Sequence, residues 1–254
     1  MVRLAALLIA FGLVHSAHAQ TVQPPAAAKA KPAAKKPPAP KAAAATPAPS
    51  GPCSIGVFPL LGNRFDVSMP GRDKFKQITV ENWGLDDLVI ERLRAAVGRG
   101  TAVRRVAYAK GAFDGYGPTA PIFQTDSKSS DLVRRAAAQT QCERYIVVTR
   151  SNVFIGNRPT FGIGLVNSGI GSFSVTVLHA VVGFVIYDGH SFAVLKRGTG
   201  SPGGRLLSDS PAIRLQGFPW PERPEEVNTP AMREATRKLL GDVLDNSLPK
   251  MLAR

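Results

Sequence analysis

The sequence predicts a fold between the α/β and α+β classes: one three-layer domain around a mixed sheet. Three observations predict it. Up to Arg150, apolar runs of strand length alternate with helix-period segments in the order strand, helix, strand, helix, strand, which implies parallel pairing through right-handed crossovers. After Arg150 the pattern changes to consecutive strands, so the sheet is expected to continue with antiparallel pairs. A helix-period segment closes the chain and is expected to pack across the sheet.

Residues 1–19 carry Arg3, an apolar run from Leu4 to Val14, and an Ala-x-Ala pattern at Ala17 and Ala19. These are the features of a secretory signal cleaved after Ala19. The run is well short of the ~20 residues needed to span a bilayer, and no cysteine stands at the junction to carry a lipid. From Gln20 to Gly51 the chain is almost wholly Ala, Pro and Lys, with no acidic residue. Such a composition buries too little apolar surface to offset its ordering entropy, so residues 20–51 are expected to form a disordered tether. Residues 52–254 are expected to form the folded domain.

The chain has a formal charge of +14. Six of its 32 Lys and Arg precede residue 52, leaving 26 against 18 Asp and Glu, about +8, on the domain. In an exported chain that excess points to a membrane surface, lipopolysaccharide or cell-wall polymer as partner, not nucleic acid. Arg104-Arg105 and Arg134-Arg135, with Lys196-Arg197, are candidates for one basic patch; the alternative is solvated element ends. An envelope protein partner and a homo-oligomer are equally compatible with this surface.

Ser54 to Leu61 (SIGVFPLL) reads as a buried strand, with Pro59 marking an end or a bulge. A polar stretch follows, then a short strand or hairpin arm from Phe75 to Val80. Leu85, Leu88, Val89, Leu93, Ala96 and Val97 have helical spacing, and Asp86 and Asp87 suit the positive end of that helix. Gly98 to Gly100 ends it. Thr101 to Tyr108 reads as a strand, Lys110 to Pro121 as a glycine- and proline-rich loop. Ser129 or Ser130 is the expected cap of a second helix, which leads to a strand from Tyr145 to Thr149. Cys53 and Cys142 each stand at the entrance of a strand. If those strands are parallel neighbours, both sulfurs fall on one edge of the sheet, and in an oxidising compartment a disulfide is predicted.

Gly162-Ile163-Gly164 and Gly169-Ile170-Gly171 suggest a loop between two strands, with Gly162 and Gly164 as candidate partner contacts or points of close backbone approach. Phe173 to Lys196 (FSVTVLHAVVGFVIYDGHSFAVLK) reads as a long antiparallel hairpin turning at Asp188-Gly189, a pair that tolerates positive φ. Its first arm is apolar on both faces from Ala180 to Ile186, as in a covered strand. Ser201 to Asn228 is a long Pro- and Gly-rich loop whose aromatics, Phe218 and Trp220, are candidate contacts or rings folded back onto the core. The last helix is expected to start with Thr229 as cap and Pro230 as first residue, and Pro249 to end or kink it.

Gly189-His190-Ser191-Phe192-Ala193 falls one residue short of the hydrolase nucleophile elbow, which needs a strand-turn-helix and a later histidine. Here a strand pattern follows, and His190 is the last histidine. His179 reads as a hydrogen-bonded interior or edge imidazole and His190 as a turn residue. Neither belongs to a set with zinc spacing, and the glycine pairs lack the dinucleotide fingerprint. The reading is therefore a non-enzyme with no catalytic residue, metal or cofactor. Its alternative is a hydrolase of envelope glycan or lipid whose carboxylates meet only on folding.

The order of elements, with SIGVFPLL as opening strand, YIVVTRS as third strand and VIYDGHSFAV at the hairpin, resembles a group of periplasmic mixed α/β domains. The group includes the curli secretion channel lipoprotein, the lipoprotein activator of a penicillin-binding protein, and the domain preceding the Tol-system propeller. The resemblance implies a periplasmic or secreted envelope protein that binds partners and uses no cofactor. The sequence departs from the lipoprotein members in lacking a lipid-bearing cysteine at its expected mature start.

Overall fold

The structure is a computed structural model that describes residues 53–68, 75–114, 116, 127–155, 158–168, 175–200, 212–214 and 220–253. It is a single mixed α/β domain whose strands fall into two five-stranded mixed sheets and a separate hairpin. In the first sheet β1 (Ile55–Leu60) lies between two parallel neighbours, β4 (Val103–Arg105) and β5 (Arg144–Arg150). β10 (Val182–Asp188) and β11 (Val194–Thr199) extend it antiparallel beyond β5. Alternation along each strand then assigns two faces. Val57, Ile146, Val148, Phe184 and Ile186 face a core shared with α1 (Leu85–Val97) and α3 (Pro230–Leu252). Phe58, Tyr145, Val147, Val185 and Tyr187 pack with Val133 of α2 (Ser127–Ala136) on the other side. Helices thus cover both faces, which is why β5 and β10 read as continuous apolar runs.

The second sheet runs β12 (Ala212–Arg214), β9 (Val175–Ala180), β8 (Ile163–Ser168), β2 (Arg64–Ser68), β3 (Phe75–Thr79). Phe65, Val67, Ile78, Ile163, Leu165 and Leu178 join the core shared with α1 and α3. On the opposite face Ile155, from the hairpin of β6 (Asn152–Ile155) and β7 (Arg158–Phe161), packs with Val166 and Val177.

Several expectations change in detail. The long first arm from Phe173 is two strands in different sheets: Val181 donates to the Gly162 carbonyl and accepts from the Ser151 amide, so the chain crosses between sheets there. The turn after it is wider than a two-residue loop. Asp188 accepts from the His190 and Ser191 amides, and the positive φ of 59° falls on Phe192. Gly189 is required for space, because a Cβ there would overlap the Cys142 carbonyl. Pro59 lies inside β1, where its missing N–H faces the ground beyond the end of β4 and its carbonyl accepts from the Tyr108 hydroxyl at 3.0 Å.

Thr101 to Tyr108 contributes only the three residues of β4, and the polar stretch after Gly62 supplies β2. Helix α2 extends back to Ser127, leaving Ser129 buried inside it. Thr229 caps α3, accepting from the Met232 amide. The helix continues past Pro249 to Leu252. The expected loop from Ser201 to Asn228 contains β12 and a 3-10 turn at Pro224–Val227. Among the described residues no helix is long and apolar enough to cross a membrane.

Candidate binding cleft

Where the parallel strands β1 and β5 end and the chain leaves β4, a cleft of about 360 Å³ opens. This is the place where open α/β sheets characteristically bind ligands, because connections leave for opposite sides there. Its floor is the turn from Leu61 to Arg64. Asp86, in the first turn of α1, accepts from the amides of Leu61 (3.0 Å) and Gly62 (3.1 Å). Arg150, the last residue of β5, holds the carbonyls of the same turn: its Nε donates to Leu61 at 2.7 Å, and its Nη2 donates to Arg64. The turn is held from both sides of its backbone.

Arg150 is itself enclosed, its side chain 7 % exposed, and its Nη1 stands 3.7 Å from the buried carboxylate of Asp66 on β2. Burial lowers the Arg150 pKa to about 10, partly offset by Asp66; burial raises that of Asp66, partly offset by Arg150. Mutual attraction therefore falls short of the desolvation cost for both groups, the usual state of an interior ion pair. Gly162 makes room for Arg150, and Gly164 for the close approach of the β2 backbone. At Gly162 (φ +63°) a Cβ would press into the side chain of Arg150, and at Gly164 it would overlap the Asp66 carbonyl. Asp66, Gly164 and His179 form one row across β2, β8 and β9. His179 is fully buried with Nδ1 3.2 Å from the Gly162 carbonyl, and burial lowers its pKa to about 4.

The cleft walls are aromatic. Tyr108 and Phe113 meet edge to face with centroids 5.0 Å apart, and Phe113 meets Tyr116 at 5.6 Å. The Tyr116 hydroxyl lies 2.9 Å from that of Tyr187, which ties the wall to β10. Arg64, Gln77, Asp114 and Thr149 supply the polar lining. Thr149 is buried, and its Oγ1 has no hydrogen-bond partner among the described residues.

A second groove, of about 690 Å³, lies at the opposite end of β1 and β5. A disulfide joins Cys53 to Cys142 there. Phe192 stacks on Tyr145 with centroids 5.5 Å apart, and the Arg134 guanidinium sits 5.3 Å over the Phe192 ring.

The residues singled out in the sequence take different roles. Arg104 and Arg105 are adjacent on a strand and point to opposite faces; Arg105 pairs with Asp87 and lies 3.9 Å from Asp86. Arg134 joins the aromatic stack, and Arg135 is exposed on α2. Gly162 and Gly164 are buried: Gly162 lies against the Arg150 side chain, and Gly164 is a point of close backbone approach, against the Asp66 carbonyl of β2. Trp220 packs partly buried against the main core; Phe218 and Gly169-Ile170-Gly171 lie outside the described residues. Sequence reasoning passed over Asp66, Thr149 and Arg150, and read Asp86 only as a helix-start residue. The available signal was an arginine ending the apolar run YIVVTR without a break. Among the described residues no three His, Cys, Asp or Glu side chains stand together as metal ligands.

No family model matches the chain, and no curated protein matches it. Among solved structures it is similar to the PelC dodecamer from Paraburkholderia phytofirmans, at 13 % identity over 82 % of this chain and 95 % of that one, TM-score 0.34. It is also similar to the hypothetical protein CT253 from Chlamydia trachomatis, at 12 % identity over 80 % of this chain and all of that one, TM-score 0.38. A third is a putative neuraminyllactose-binding hemagglutinin homolog from Helicobacter pylori, at 6 % identity over 81 % and 87 %, TM-score 0.39.

Proposed function

We propose that this protein is an exported, non-enzymatic binding domain of the cell envelope, and that the cleft beyond β1, β4 and β5 receives its ligand. One observation carries the reading: a ring-walled cleft whose floor, the turn at 61–64, is held through both its amides and its carbonyls. Such immobilisation before a ligand arrives is what lowers the ordering cost of binding. The secretory pattern at 1–19 and the Cys53–Cys142 disulfide support export. The basic tether at 20–51 would keep the domain near anionic surfaces.

The test is binding of the purified protein to isolated cell-wall glycan, lipopolysaccharide and anionic vesicles, beside a variant carrying Arg64→Ala and Tyr108→Ala. Binding to at least one of the three, lost in the variant, is expected. Binding to none, or equal binding by the variant, ends the reading.

A second reading, a subunit of an assembly, is favoured by β11. It is an edge strand of the first sheet and exposes Leu195 to 52 %. Mass measurement in solution tests it: a monomer at all accessible concentrations rules it out.

A further inference from the structure

We infer that the cleft recognises a saccharide unit bearing a carboxylate, an inference that rests on the binding reading above and adds the chemical class of the ligand. The argument starts from which groups remain available. Arg150 is committed to two carbonyls and to Asp66, so it shapes the cleft without supplying its charge. The accessible cation is Arg64, on the exposed side of the held turn, with its Nη1 3.5 Å from the Gln77 side-chain oxygen. That oxygen accepts from Nη1, and the remaining N–H groups of the guanidinium are a planar donor set that fits a carboxylate.

The rest of the lining suits a polyhydroxylated ring. Tyr108, 37 % exposed, presents an aromatic surface, and its hydroxyl is already used on the Pro59 carbonyl, so the ring is fixed in place. Stacked sugar rings place C–H groups on such a face, and aromatic faces favour the positive edge of those bonds. Thr149 adds a buried hydroxyl without a partner among the described residues, and Asp114 adds an acceptor. A buried hydroxyl left unpaired costs free energy unless something pairs with it, and a ligand hydroxyl would do so. The carboxylate of Asp114 opposes a polyphosphate or a bare anion, whereas it accepts from sugar hydroxyls. About 360 Å³ is at the small end of ligand sites, which run from about 300 to 1,000 Å³.

The experiment titrates the purified protein with glucuronate, an oligouronide, glucose and inorganic phosphate, by calorimetry and by amide shifts in NMR. Glucuronate and the oligouronide are expected to shift amides of residues 61–64 and 149, with glucose and phosphate each about tenfold weaker or silent. A tighter oligouronide marks a polymer as the source; equal affinity marks a free sugar acid. Arg64→Ala should remove the preference for glucuronate over glucose. Tyr108→Ala should weaken both sugars by about tenfold and leave phosphate unchanged. Circular dichroism and the Cys53–Cys142 end, read by NMR, check that the variants fold.

Glucose binding as tightly as glucuronate overturns the inference, and so does phosphate binding as tightly as either. Silence of all four probes overturns it too. If the cleft variant nevertheless loses binding to an envelope component, only the ligand class has failed; if it does not, the binding reading fails with it.

Discussion

At the start of the β1–β5 pair a covalent bridge ties Cys53 to Cys142, and at its far end Arg150 and Asp66 make a buried ion pair that joins the two sheets. The bridge acts chiefly by restricting the unfolded chain, and it too needs glycine beside it, since a Cβ at Gly189 would overlap the Cys142 carbonyl; the groove there is the wider of the two. The ion pair acts only in the folded state and must be enclosed, with Gly162 giving up its side chain to Arg150. A device that depends on its surroundings also orders them. The far end therefore holds a turn in one geometry, and the cleft lies there.

The comparison breaks most strongly at Arg150. Arg150→Ala leaves the Asp66 carboxylate buried without its cation and frees two carbonyls, an expected loss on the order of 5 kcal/mol in urea unfolding. Exchanging the pair together, Asp66→Asn with Arg150→Met, should be markedly less harmful. A double variant no more stable than Arg150→Ala alone would show that the carbonyl bonds, and not the charges, matter.

Removing the bridge comes next. With the cysteines 89 positions apart, Cys53→Ala with Cys142→Ala should cost about 4 kcal/mol in the same assay. Its amide shifts at 61–64 should stay in place, and movement there would mean that the two ends are not independent.

The smallest effect sharpens the far end by pH. An imidazole in the unfolded chain takes up a proton near pH 6.5, whereas His179 in the fold does so near 4. Between those values unfolding binds a proton, so stability falls as pH drops from about 6.5 to about 4, by about 3 kcal/mol, and then levels. Asp66, raised by burial, has the opposite sign and partly offsets this. The decline should lose its steepest part in His179→Leu. Hydrogen exchange at pH 5 should quicken around 162–164 before it does around 53–54; a uniform response would contradict a local origin.

Legibility followed the range of each interaction. α1 was readable to the residue, since Leu85 to Val97 carries its own spacing, its acidic first turn and its terminating glycine. Thr229 and Pro230 announced α3 for the same reason. The division into two sheets was not readable: Val181 looks like its apolar neighbours, and only its bonds to Gly162 and Ser151 show the crossing. Pro249 does not end the helix, because a proline in the last turn forgoes one hydrogen bond without stopping a helix already held by Leu248 and Met251 in the core.

In the cleft, Arg64 and Tyr108 looked like ordinary loop and strand-end residues. Their shared site depends on β1 and β4 being neighbours and on Asp86 and Arg150 reaching the same turn.

The amino-acid sequence alone determined the three helices and the main strands of the first sheet, the charge before and after residue 52, and the presence of two cysteines at strand entrances, because each is written in neighbouring residues. Tertiary structure decided which strands share a sheet, which arginine is buried and which is offered to a ligand. Those outcomes depend on partners such as Asp66 and Arg150, 84 positions apart in number, whose attraction becomes strong only where folding has removed the water between them.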